Sequence, residues 1–135
     1  MKALIVLGGD APSEALLRAE AEKADLTIAA DRGLEAFVRS GIVPDAVYGW
    51  ELPPEQRKPH PHPLLDIMKR FDLTPEEILV VDDMKLACQM ADPLGIKVAY
   101  SGWNGLGVCD VDTEMRAICA YSFDSTEKLY NFLFD

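Results

Sequence analysis

The sequence predicts an α/β fold, a three-layer Rossmann-like doubly wound parallel sheet. Short runs of β-branched and other apolar residues recur along the chain. Amphipathic segments with start and stop signals lie between them, which is how a parallel sheet with covering helices reads in sequence. The apolar runs are continuous instead of alternating, as expected of strands buried on both faces.

The first strand is expected at residues 3–7 and a helix at 13–24, where Pro12 and Ser13 open the first turn and Glu14 favours the positive end of the helix dipole. A second strand at 26–30 leads to a helix at 33–40, closed by Gly41 where a left-handed residue is needed. The third strand is expected at 46–49. A long loop from Trp50 to Pro63 follows, because five prolines in that stretch exclude regular structure throughout.

A helix at 61–71 carries Leu64, Leu65, Met68 and Phe71 on one stripe, with Lys69 and Arg70 in its last turn. Thr74 and Glu77 have capping-box spacing and predict a single turn into the fourth strand at 78–81. A helix at 85–91 stops at Pro93 and Gly95, and the fifth strand is expected at 97–100. The stretch 101–111 reads as irregular. A sixth strand at 120–123 and a helix at 125–134, with Asp124 and Glu127 at capping-box spacing, complete the series. Right-handed crossovers then favour the strand order 3-2-1-4-5-6 in one sheet.

The 135 residues are expected to form a single domain, residues 1–135, with a hydrophobic fraction of 49% and a charged fraction of 27%. The net charge of −10 excludes the simplest nucleic-acid or anionic-membrane binder, since phosphate affinity comes largely from clustered Lys and Arg. Cys88, Cys109 and Cys119 are odd in number, sit in apolar surroundings and lack C-x-x-C spacing. They read as buried thiols of a reducing compartment, so a cytoplasmic location is expected, with no membrane segment. The expected state is a monomer or weak homodimer.

Chemistry in such a fold gathers at the carboxyl ends of the strands. Asp82 and Asp83 stand at the end of a buried strand and suit Mg2+, which takes one or two carboxylates and keeps several waters. Lys58 would then neutralise a phosphate. Either aspartate could instead cap the following helix. Gly8 and Gly9, followed by Asp10, allow backbone to approach a phosphate or simply form a tight turn. Asp31, before Arg32 and Gly33, is a phosphate-side candidate or a helix cap. His60 and His62 flank Pro61 without a third metal ligand in view, and Trp103, beside Asn104, is read as a core anchor in preference to a stacking platform for a ligand.

Two sets of motifs carry resemblances. Leu7-Gly8-Gly9-Asp10-Ala11-Pro12, Ala30-Asp31-Arg32-Gly33 and Gly41-Ile42-Val43-Pro44-Asp45-Ala46-Val47 resemble the amino-terminal part of thiamine pyrophosphokinase. That family continues into an acidic Gly-Asp-Phe-Asp-Ser motif, whereas Gly49 here is followed by Trp50-Glu51-Leu52. From about Tyr48 onward the chain resembles a haloacid-dehalogenase-like hydrolase. Lys58-Pro59-His60-Pro61 matches its lysine motif, and Val80-Val81-Asp82-Asp83 with Ala87 and Ala91-Asp92-Pro93-Leu94-Gly95-Ile96 matches its acidic metal motif and the helix after it.

The second resemblance implies that Lys58 stabilises a nucleophile and phosphate while the acidic pair binds magnesium. It also implies an Asp-x-Asp nucleophile near residues 7–9, where the sequence has Leu7, Gly8 and Gly9. Together the resemblances imply a recombined or engineered chimera joined near 46–48, with two incomplete active sites and no catalysis. No cofactor would be required, Mg2+ and phosphate or nucleotide binding would be weak, and Lys58, Asp82 and Asp83 would be vestigial. The alternatives are a weak Mg-dependent phosphohydrolase, with Asp10 or Asp31 recruited as nucleophile or base, and a phosphate- or nucleotide-binding module.

Overall fold

The computed structural model describes residues 3–6, 12–49, 52–104 and 109–134. It divides into two compact units, Met1–Arg57 and Lys58–Asp135.

In the first unit, β1 (Ala3–Val6), β2 (Leu26–Ala30) and β3 (Ala46–Tyr48) form a parallel sheet in the order β1-β2-β3. Ala3 faces Leu26 across one pairing, and Ala30 faces Tyr48 across the other. Helix α1 (Glu14–Ala21) starts where Ser13 Oγ accepts the Leu16 N–H at 3.3 Å, the cap expected from the sequence. Helix α2 (Gly33–Arg39) ends before Gly41, whose φ of 65° makes the left-handed turn. Val6, Leu17, Ala29, Ala36 and Phe37 form this unit's core.

In the second unit, β4 (Leu79–Asp82), β5 (Lys97–Ser101) and β6 (Tyr121–Phe123) form another parallel sheet in the order β4-β5-β6. Its core gathers Leu64, Ala87, Cys88, Met90, Ala91, Ile96, Val98, Tyr100 and Met115. Helix α3 (His62–Phe71) and α4 (Lys85–Ala91) supply much of that apolar surface. Between α3 and β4, Thr74 and Glu77 close the expected capping box around a single turn, Pro75–Glu77.

The α/β class and the parallel pairing agree with the sequence, and the strand orders 3-2-1 and 4-5-6 are each present. The single six-stranded sheet is not. Among the described residues the strands form two three-stranded sheets, in which β1 and β4 are outer strands. A second departure is that Ile5 is exposed and all four residues of β4 are half-buried, although both runs read as fully buried.

Two helices also differ. Helix α5 (Cys109–Ile118) occupies part of the stretch read as irregular. Its apolar residues Val111, Met115 and Ile118 follow helical spacing, but only Met115 is buried, so the amphipathic signal is weak. Leu65 is exposed, leaving the stripe of α3 narrower than expected. Helix α6 (Thr126–Phe134) is opened by Ser125, whose Oγ accepts the Lys128 N–H at 3.2 Å. Asp124, expected as the cap, instead pairs with Arg116 and Lys128.

Candidate functional site

In the second unit the parallel register sets Asp82 beside Tyr100 and Tyr100 beside Ser122, at the carboxyl edge of the sheet. Lys58 reaches the same edge and ion-pairs with Asp82 Oδ2. Both groups are largely withdrawn from water, at 32% and 13% side-chain exposure, so the pair is less screened than a surface one. The other oxygen, Asp82 Oδ1, accepts the Met84 N–H at 2.8 Å and fixes the turn leaving β4. Asp82 does not cap α4: the cap position is Met84, and no side chain caps it.

Each oxygen of Asp82 is therefore already engaged by a donor. Asp83 follows on the same turn, half-buried, and its carboxylate is in none of the ion pairs among the described residues. One carboxylate with several waters is a normal Mg2+ environment, so Asp83 is a side chain that could hold such an ion. Among the described residues no three His, Cys, Asp or Glu side chains group into a fuller metal site.

A polar network missed by sequence reasoning lies beside this edge. Asp112 accepts the Arg116 Nε–H at 2.8 Å, Asp124 accepts its Nη2–H at 2.8 Å, and the guanidinium stands 5.7 Å from the centroid of the Tyr100 ring. Burial first, and then the hydrogen bond to Asp112 and that residue's charge, push the Tyr100 phenol up, with Asp83 adding to the effect. Arg116, and secondarily Tyr100, hold the Asp112 carboxyl below its usual range. Lys85, in the first turn of α4, pairs with Glu114. The only sequence clue was the pairing of Asp112 with Arg116 at helical i, i+4 spacing, visible once α5 is known to be a helix.

In the first unit Asp31 and Gly49 lie at the carboxyl ends of β2 and β3. Asp31 does not cap α2, where Arg32 occupies the cap position without a side-chain bond. It takes a left-handed φ of 50°, and its N–H donates to the Tyr48 carbonyl at 2.8 Å. Gly49 has a φ of 139°, and a Cβ there would fall 2.6 Å from Asp31 Oδ1 and 2.8 Å from Asp31 N. Glycine is what lets these strand ends approach. At the opposite, amino-terminal end of the same two strands, Asp45 Oδ2 accepts both the N–H and the hydroxyl of Thr27 at 2.8 Å, and these bonds hold its carboxyl below the usual range.

The structure thus brings together Lys58 and Asp82, with Asp83 next in the chain, and places Asp31 in the other unit. Gly8, Gly9 and Asp10 lie outside the described residues. His60 is exposed and His62 half-buried at the start of α3. Trp103 is half-buried, short of the full core anchoring expected of it. No described helix is long and apolar enough to cross a membrane.

Lys58, Asp82 and Asp83 thus lie at the carboxyl edge of a parallel sheet within an α/β unit. A family model of haloacid dehalogenase-like hydrolases matches residues 33–101, just over half of the chain, including Lys58, Asp82 and Asp83. The chain belongs to the haloacid dehalogenase-like hydrolase family. The match begins upstream of the join expected near 46–48 and leaves out β1 and β2 at one end and β6 at the other. No curated protein matches the chain in sequence.

Proposed function

We propose that this chain is a haloacid-dehalogenase-like domain that binds phosphate and Mg2+ weakly at the Lys58, Asp82 and Asp83 edge without hydrolysing phosphate esters. The observation that carries this reading is the ion pair between Lys58 and Asp82 beside Asp83. It supplies a cation for phosphate and a carboxylate for the metal, while Leu7, Gly8 and Gly9 offer no carboxylate where the family's nucleophile is expected. Without an attacking group, positioning phosphate and metal does not by itself break the ester bond.

Binding of inorganic phosphate and of a nucleotide, with and without Mg2+, measured by titration calorimetry, tests the reading. Magnesium-dependent heat that disappears in Asp83→Asn is expected. No heat under any condition would reduce the domain to a scaffold.

Family membership favours one second reading, a weak Mg-dependent phosphohydrolase in which Asp10 or Asp31 replaces the nucleophile. For the origin of the incomplete site, we propose recombination of a thiamine pyrophosphokinase-like first part with the hydrolase-like remainder. The support is the motif set from Leu7 to Val47 and its abrupt change after Gly49. On this account all 135 residues act as one domain in solution.

A further inference from the structure

We propose that Cys88 and Cys119 form an oxidative modification site, a thiol pair that closes into a disulfide in the presence of a small-molecule disulfide oxidant. Cys88 lies on α4, buried in the core, and Cys119 immediately follows α5, half-buried against the same core. Their sulfurs are in contact at 3.5 Å, close enough for an S–H···S hydrogen bond. Both backbones are fixed, that of Cys119 by its N–H donating to the Met115 carbonyl at 3.0 Å. A disulfide holds its sulfurs about 2.05 Å apart, so closure needs a combined shift of roughly 1.5 Å, within reach of small side-chain rotations.

The third cysteine is no rival for Cys119. Positions 109 and 119 lie at opposite ends of α5, about 15 Å apart along the helix axis.

The chemistry balances through two exchanges. The Cys119 sulfur, the more accessible of the two, loses its proton and attacks the oxidant RSSR, giving a mixed disulfide and one RS−. The Cys88 sulfur then loses its proton, attacks the Cys119 sulfur and expels the second RS−. Two protons and two electrons pass from the protein to the oxidant, which leaves as two RSH. Burial, the Cys88 contact and the carboxylates of Asp92 and Asp82 push the Cys119 thiol up to about 12, so the first exchange is slow at neutral pH. The pair is therefore stable as thiols under reducing conditions and responds to sustained oxidation.

The cysteines are 31 positions apart, and the bridge would close a loop containing β5 and α5. Closing such a loop restricts the unfolded chain and stabilises the folded one. Trypsin provides a clean test, because cleavage after Lys85, Lys97, Arg116 and Lys128 places the three cysteines on separate peptides, 86–97, 98–116 and 117–128. The dilute full-length chain, incubated with oxidised glutathione and digested without reductant, should yield 86–97 joined to 117–128 with the loss of two hydrogens. Its urea midpoint should rise on oxidation and fall back with dithiothreitol, and Cys119→Ser should abolish both effects. A bridge to 98–116, bridges between molecules, or glutathione adducts that never resolve would overturn the proposal. Because the peptide map is read on the unmodified sequence, it stands even if the serine variant does not fold.

Discussion

Replacing Lys58 with methionine removes the ammonium but keeps a stem of similar length, leaving the Asp82 carboxylate only 13% exposed and without its counter-ion. Breaking a fully buried pair costs about 3–5 kcal/mol and an exposed one about 0.2–1 kcal/mol. With Lys58 one-third exposed, the loss should be about 1.5–3 kcal/mol. For a urea dependence of about 1–1.5 kcal/mol per molar, the unfolding midpoint should fall by roughly 1–3 M. Asp82→Asn alone should cost less, because the Lys58 side chain can turn to water and the amide oxygen can still accept the Met84 N–H. The double variant should be more stable than Lys58→Met alone, giving a coupling of about 1–2 kcal/mol in the cycle. Urea unfolding followed by circular dichroism on the four proteins measures this. Strictly additive losses would refute the pairing, and with it the placement of Lys58 at the edge of β4.

Three further outcomes follow from the geometry. Gly49→Ala would push a Cβ against the Asp31 backbone at a positive φ and should cost about 2–4 kcal/mol by thermal melting, whereas a neutral result would show that the loop relaxes freely. Phe37→Ala, at a fully buried position in the first unit, should cost about 3–5 kcal/mol in the same measurement. Asp45, Asp112 and Asp124 are held below their ordinary value of 3.8 by Thr27, by Arg116, and by Lys128 with Arg116. Their folded pKa values lie below the unfolded ones, so their contribution is fully present above about pH 5 and is lost as pH falls through the folded values. The urea midpoint should decline below about pH 4 on this account, and Thr27→Val should flatten part of that decline.

Much of the fold was legible because local signals agreed with one another. The run Leu26–Ala30 is purely apolar apart from Thr27 and became the central strand of its sheet, with the bounds that its composition implied. Ser13, Gly41 and the Thr74–Glu77 box act through their own neighbours, so tertiary context had little opportunity to override them. Asp124 failed as a cap for the opposite reason: Arg116, eight positions earlier, competes for its carboxylate. The pairing of β1 with β4 was inferred from topology alone, and no local signal in Ala3–Val6 or Leu79–Asp82 specifies a partner.

Within the site, the lysine and acidic pair were readable as motifs, but their division of labour was not. That both oxygens of Asp82 are engaged, by Lys58 and by the Met84 N–H, while Asp83 is in no ion pair among the described residues, depends on the turn after β4. The Thr27–Asp45 latch and the contact of Tyr100 with Asp112 likewise join residues that sequence spacing does not bring together. The contact between Cys88 and Cys119 belongs to this group, since it depends on where α4 packs against the end of α5.

The central claim is that the chain keeps the phosphate-side charges of its family without a working nucleophile. Phosphate release from a panel of phosphomonoesters, with and without Mg2+ and with Asp83→Asn as the control for contaminating phosphatase, tests it most directly. The account predicts no release above that control for any ester. Magnesium-dependent turnover that disappears in Asp83→Asn would contradict it and identify the chain as a phosphohydrolase with a recruited nucleophile.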